Sequence, residues 1–274
     1  MKTQILAVLT IISVGIIAGC GGGSSTPATS ISGKVADGYL VGATVFMDKS
    51  NPPNYQQDPG EPSATTDANG AYTLMNVDPA DVGKYPIVAM AIKGVTKDRD
   101  TNTFVNNSYI LSMPATDLSG TANSSNFISP MSTQVRELMG TGKTMQQAMD
   151  QLNAKLGLPV GTNMLADYMV NPNSPNNANY QNYTVMHTAA QNMAGLMGSQ
   201  MIQVLTTGST TTVDVNRYRG MMGAIFSNMS SIRGSNAQPA MSNLNTTMPT
   251  YIQNITSGQP FRNMSVAFRG SMMR

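Results

Sequence analysis

Asp67-Ala68-Asn69-Gly70-Ala71-Tyr72-Thr73-Leu74 is the stretch that decides the fold of the first half of the chain. Asn69-Gly70 is a strong turn signal, because both residues accept the positive φ that a tight connection needs. The run from Ala64 to Leu74 carries β-branched and aromatic residues on both sides of that turn. Working outward, similar short runs recur upstream at Ile31–Asp37 and Gly42–Asp48, and downstream at Pro86–Ile92 and Ser108–Met113. Clusters of Gly, Asn, Asp and Pro separate them. Short strands punctuated in this way predict an all-β sandwich over residues 31–117.

The order Gly33-x-Val35-x-Asp37, Gly42-Ala43-x-Val45, Asp67-x-x-Gly70-x-Tyr72-x-Leu74 resembles the carboxypeptidase-regulatory-like (transthyretin-like) β-sandwich. The resemblance implies a spacer, stabiliser or binding module without catalytic activity. The stretch Asp48-Lys49-Ser50-Asn51-Pro52-Pro53-Asn54-Tyr55-Gln56-Gln57-Asp58-Pro59-Gly60-Glu61 is similar to the Asx-rich loop with which related modules bind calcium. That likeness implies Asp48, Asn54, Asp58 and Glu61 as ligands to an ion that takes about six to eight oxygens. Counted back from Glu61, Asp58 and Asn54 fall on the family's offsets. Pro52 takes the third, and Asp48 lies two residues too far upstream. The other reading is a solvated loop closed by Asx-turns. Calcium is the one candidate cofactor, and no cofactor is required by the sequence.

Beyond Ser119–Ser125 the period changes. Ser129-Pro130 supplies an N-cap and a proline for the first helical position, and Gly140 stands where a helix stops. Thr144 and Gln147 form a capping box, after which Met145, Met149, Leu152 and Leu156 share one face up to Gly157. A short helix is expected at Met164–Val170, an exposed loop at Asn171–Asn182, and a longer helix at Thr184–Leu205. Val215, Tyr218, Met222, Ile225, Met229 and Ile232 make a strict helical stripe. One or two helices follow in Met241–Ile255, interrupted or restarted at Pro249. The segment Ser129–Pro159 also looks like a helical module that follows transthyretin-like domains in bacterial lipoproteins, and that likeness implies no activity. Strands followed by helices predict a multidomain chain. The expectation is a transthyretin-like β-sandwich, then an all-α helical bundle over residues 128–274, with a protease-sensitive linker at Gly120–Asn126.

The N-terminus reads as an address. Lys2 precedes a mostly apolar block, Ile5–Ala18, too short for the ~20 apolar residues of a membrane span and suited to a signal peptide. It ends in Ile17-Ala18-Gly19-Cys20, which resembles the lipobox of bacterial lipoproteins. The resemblance implies diacylglyceryl transfer to Cys20, removal of residues 1–19 and N-acylation of the new terminus. Residues 20–30, beginning Cys20-Gly21-Gly22-Gly23-Ser24-Ser25, then form a flexible tether. Gly21 stands where the inner-membrane retention pattern of such lipoproteins has Asp. That favours the outer membrane and leaves the periplasmic or surface face open.

Composition removes several classes of chemistry. The chain has 274 residues, one Cys and one His, which excludes an intrachain disulfide, a Cys-based zinc site, c-type haem and a His-rich metal centre. Of its last 104 residues six are Arg and one, Asp214, is acidic. Arg217, Arg219, Arg233, Arg262, Arg269 and Arg274 suit a solubilising surface or, alternatively, a lipid phosphate, lipopolysaccharide or an acidic partner. The patch is too thin and too poor in interleaved aromatics for nucleic acid. Twenty-three methionines raise the alternative of copper or silver handling through Met186, His187, Met193, Met197 and Met201. Their spacing is equally that of a packed helical core. No G-x-S-x-G turn accompanies His187, and Gly140-Thr141-Gly142-Lys143-Thr144 lacks the spacing of a phosphate loop. The expected function is a non-enzymatic lipoprotein of the cell envelope, a binding or structural component. Its expected partners are the membrane, through the lipid anchor, and an unidentified envelope component.

Overall fold

A computed structural model describes residues 29–115, 126–170 and 179–255. The expected signal peptide, Cys20, most of the tether, most of the linker and Arg262, Arg269 and Arg274 lie outside the described residues. Within them the N-terminal part is built of β-sheets and the C-terminal part of helices.

The strands are β1 (Thr29–Val35), β2 (Leu40–Val41), β3 (Thr44–Met47), β4 (Ser63–Thr65), β5 (Ala71–Val77), β6 (Ile87–Ala91), β7 (Lys97–Asp98), β8 (Thr103–Phe104), β9 (Tyr109–Met113) and β10 (Asn126–Ile128). They form sheets of order β10-β1-β5, β2-β7-β8 and β4-β3-β6-β9. The Asn69-Gly70 turn forms with Gly70 at φ +70°, and Asp67 accepts the amides of Asn69 (2.7 Å) and Ala71 (2.9 Å). It does not close a hairpin. β4 and β5 belong to different sheets, so the turn carries the chain from one sheet to the other.

The helices are α1 (Pro130–Met139), α2 (Met145–Leu156), α3 (Tyr180–Gln200), α4 (Val215–Ser227), α5 (Met229–Ile232) and α6 (Gln238–Gln253). α1 starts at Ser129 with a capping box completed by Ser132, and α2 starts at Thr144 with one completed by Gln147. The stripe from Tyr218 to Ile232 is fully buried but runs over two helices, broken at Asn228. α6 continues through Pro249, whose missing amide costs less than the burial of Met248 and Ile252 returns. No helix forms at Met164–Val170, which is a series of turns. There the Asn163 and Asp167 side chains accept the amides of Leu165 (2.9 Å) and Met169 (3.0 Å), a local alternative to helix hydrogen bonds.

The two parts share one hydrophobic core that runs from Ile31 to Ile252. β10 lies parallel to β1 with Gly33 opposite Asn126, so Asn126, expected in the linker, is a strand residue. Gly33 is required there, because a Cβ would collide with the Asn126 carbonyl. Just beyond β10, Ser132 and Thr133 of α1 bind both polar groups of the Ser112 backbone in β9. From farther along the chain, Tyr218 donates to the Ile110 carbonyl (2.8 Å) and Tyr168 to the Ala36 carbonyl (3.1 Å). On the surface, Asp167 accepts from Tyr39 (2.9 Å) and Lys34 (3.2 Å). The boundary expected near residue 128 therefore passes through continuous packing. Among the described residues no helix is long and apolar enough to cross a membrane.

Candidate ligand-binding cleft

The loop between β3 and β4 carries Asp48, Asn54, Asp58 and Glu61, and their oxygens accept from the loop's own donors. Asp48 is buried and accepts the amides of Ser50 (3.2 Å) and Tyr55 (2.9 Å). Asp58 Oδ2 accepts from Ser50 Oγ (2.8 Å) and Asn54 Nδ2 (2.9 Å). Glu61 accepts the Lys49 amide (2.6 Å) through one oxygen and the Asp58 amide (2.9 Å) through the other. Burial raises the pKa of both Asp48 and Glu61, against the pull of these amides. Among the described residues no group of three or more His, Cys, Asp or Glu side chains is placed to hold a metal ion.

This internal bonding presents Tyr55. Its backbone sits at φ +61°, a left-handed conformation that costs a non-glycine residue roughly 1–2 kcal/mol. The Asp48 carboxylate, bound to the Tyr55 amide, helps to hold it there. The ring enters the helical part and is buried against Tyr218 at 4.4 Å between centroids. The Tyr55 hydroxyl donates to Glu137 Oε1 at 2.5 Å.

Glu137 is the centre of a charged cluster on α1 and α4 and is only 2% exposed. Arg136 Nη1 donates to the same Oε1 at 2.9 Å, and its guanidinium lies 4.4 Å from the Tyr55 ring centroid. Arg219 Nε lies 3.3 Å from Glu137 Oε2, an ion pair without an aligned hydrogen bond. Burial disfavours the Arg136 cation, but Tyr55 and Glu137 outweigh it and raise its pKa. Burial first, and the Glu137 charge second, push the Tyr55 and Tyr218 hydroxyls well above their ordinary range. Both tyrosines therefore stay neutral. Gly140 leaves room for the Arg219 guanidinium, which a Cβ at that position would strike.

Over this cluster opens a cleft of about 350 Å³ walled by Pro52, Pro53, Pro86, Pro114, Met139 and Val215. Among the described residues it holds two cations, one carboxylate and a phenol already bonded to that carboxylate, with no arranged nucleophile and base. What it offers chemically is recognition of charge beside an apolar wall.

Other residues singled out by sequence are used structurally. Arg233 donates to the Leu156 carbonyl and closes the end of α2 beside Gly157, while Arg217 donates to the Leu205 carbonyl at 3.1 Å. Met186, Met193 and Met197 are fully buried, with their thioethers inside the core. His187 Nε2 lies 2.6 Å from Asp100 Oδ2, and the ring stacks on Tyr168. A second cavity of about 260 Å³ is lined by Asp37, Asp98, Phe104 and Gly198. Burial pushes the Asp37 carboxyl up to about 7, opposed by the Tyr109 hydroxyl bond (2.8 Å) and reinforced by Asp98 and Asp100.

Sequence reasoning placed Glu137, Arg136 and Tyr55 in no site. The only available signal was an Arg-Glu pair inside an otherwise uncharged helix. Comparison with protein-family models, with curated proteins and with solved structures finds no match to this chain.

Proposed function

We propose that the protein is a bacterial lipoprotein of the outer membrane, attached through acylated Cys20, whose folded part is a non-enzymatic binding or structural component of the cell envelope. The observation that carries this reading is Ile17-Ala18-Gly19-Cys20 at the end of a 14-residue, mostly apolar block, with the only thiol of the chain at the acceptor position. More than one acyl chain is needed for stable anchoring, and a triacylated cysteine supplies that. The short tether that follows ends at β1. In this reading the sheets form a transthyretin-like β-sandwich with the helices bundled against it.

A binding or structural role is supported by the use made of the ionisable groups. Glu137 and Asp100 tie α1 and α3 to the β part, Asp167 ties the 164–170 turns to it, and Asp48 and Asp58 close the loop that carries Tyr55. The test is metabolic labelling with palmitate followed by membrane fractionation. The wild-type chain is expected to label and to sediment with outer membranes. Cys20→Ser is expected to lose the label. A labelled Cys20→Ser chain would overturn the anchor.

A further inference from the structure

The cleft above Glu137 has the composition of a site for one kind of small molecule. Arg136 and Arg219 line it together with a single carboxylate, Glu137, and the buried Asp48 behind Tyr55 offsets part of the Arg136 charge. Among the described residues its walls carry no other ionisable side chain apart from the neutral Tyr55 phenol. Of the two guanidinium groups, Arg136 is the deeper, with its side chain 12% exposed, and Arg219 stands nearer the mouth at 28%. Arg219 approaches Glu137 through its Nε without an aligned hydrogen bond, and its Nη2 lies over Gly140. A guanidinium edge matches the two oxygens of a carboxylate better than any other side chain does.

The walls specify the rest of the ligand. Proline has no backbone N–H, so Pro52, Pro53, Pro86 and Pro114 present mainly C–H faces, and Met139 and Val215 extend them. Such a surface favours an apolar body. A cleft of about 350 Å³ lies at the small end of ligand pockets, which run to roughly 300–1,000 Å³. The strained Tyr55 backbone is consistent with a built site, because left-handed non-glycine residues concentrate where structure is held for function.

We infer that this cleft binds a small monocarboxylate with an apolar body, its carboxylate on Arg219 and its body against the proline wall. The inference gives the proposed binding role a ligand class and rests on that role. It does not depend on the anchor.

The experiment titrates the purified full chain, carrying ¹³C-methyl methionine, with 3-phenylpropionate, with 3-phenylpropan-1-ol and with acetate. Met139 in the wall is the reporter, assigned by Met139→Leu. For a ligand of this size a saturable shift is expected with Kd of about 1 mM. The alcohol, lacking the charge, and acetate, lacking the body, are each expected to bind at least about tenfold more weakly. Arg219→Gln is expected to lower affinity for the acid by a similar factor. Val215→Asp, which places a negative charge in the wall one helical turn from Arg219, should do the same through direct competition for that guanidinium and guards against misfolding of the first variant. Equal binding of acid and alcohol would reduce the cleft to an apolar groove and overturn the assignment. Equal binding of acetate would make it an adventitious ion site only, and no saturable shift up to about 20 mM would remove the site. Palmitate labelling is independent of every one of these readings, so the anchor and the cleft fail separately.

Discussion

Tyr55→Phe isolates the tie between the loop and the helical part. The substitution keeps the ring against Tyr218 and Arg136 and removes only the hydroxyl that donates to Glu137 at 2.5 Å. A hydrogen bond to a charged acceptor is worth about 1.5–3 kcal/mol. Glu137 keeps Arg136 at 2.9 Å and Arg219 at 3.3 Å, so its charge is not orphaned and the cost belongs in the lower half, about 1.5–2 kcal/mol. For a folded body of more than about 150 residues, each kcal/mol moves the melting temperature by roughly 2–4 °C. The expected loss is therefore about 3–8 °C. Urea unfolding at pH 7, followed by far-ultraviolet circular dichroism, gives the free energy, and a thermal melt gives the shift. A double-mutant cycle with Glu137→Gln decides whether the loss belongs to this contact. A Tyr55→Phe protein within about 0.5 kcal/mol of wild type would refute the reasoning. So would a loss that remains undiminished in the Glu137→Gln background.

Three further outcomes follow from other parts of the fold. Asp37 holds its proton to about pH 7 in the folded state but releases it near pH 3.8 when unfolded, so its contribution favours folding at low pH and is lost as pH rises through 7. Asp37→Asn should melt close to wild type at pH 4 and above it at pH 8, and parallel stability curves from pH 4 to 8 would contradict this. Cleavage anywhere in residues 116–125 should leave two fragments that co-elute on size exclusion until denaturant is added, because β10 and α1 stay packed on β1 and β9; fragments that separate without denaturant would show independent domains. Calcium at about ten times a dissociation constant would add about 1.4 kcal/mol if the 48–61 loop bound it. The loop's carboxylates are already engaged, so melts in millimolar calcium and in chelator should superimpose, and a shift abolished by Glu61→Gln would show that the loop reopens.

Local chemistry carried the elements that sequence disclosed. Ser129-Pro130, Thr144 with Gln147, and Gly157 are caps whose effect reaches only one turn, and each was legible. The Asn69-Gly70 turn was legible as a turn, but the sheets it connects were not, since a turn residue does not encode its strands' partners. Asn126-Phe127-Ile128 is too short for any period and was hidden beside the polar Ser119–Ser125 run. Missing it made one core look like two. The 164–170 stretch misled in the opposite way, since Met164 and Tyr168 sit at helical spacing and are buried without a helix. The cleft was least visible. Tyr55, Glu137 and Arg219 are far apart in the chain, and only the packing of the loop on α1 and α4 brings them together.

The place of β1 in its sheet has a mechanical consequence. β1 is the strand at which the described chain begins, and it lies in the middle of its sheet, with β10 parallel on one side and β5 antiparallel on the other. Tension applied through the N-terminus enters at Thr29 and runs along the strand axis. The ladder hydrogen bonds cross that axis, so both sets bear the load at once and cannot be unzipped one after another, as they would be in a strand peeled from an edge. The Asn126 side chain adds a cross-brace to the Ser32 carbonyl at 2.7 Å. Because β10 continues directly into α1, a pull on the first strand is resisted by the helical part, some hundred residues along the chain. A molecule held by its leading end against drag would be gripped at the strand that joins its two halves.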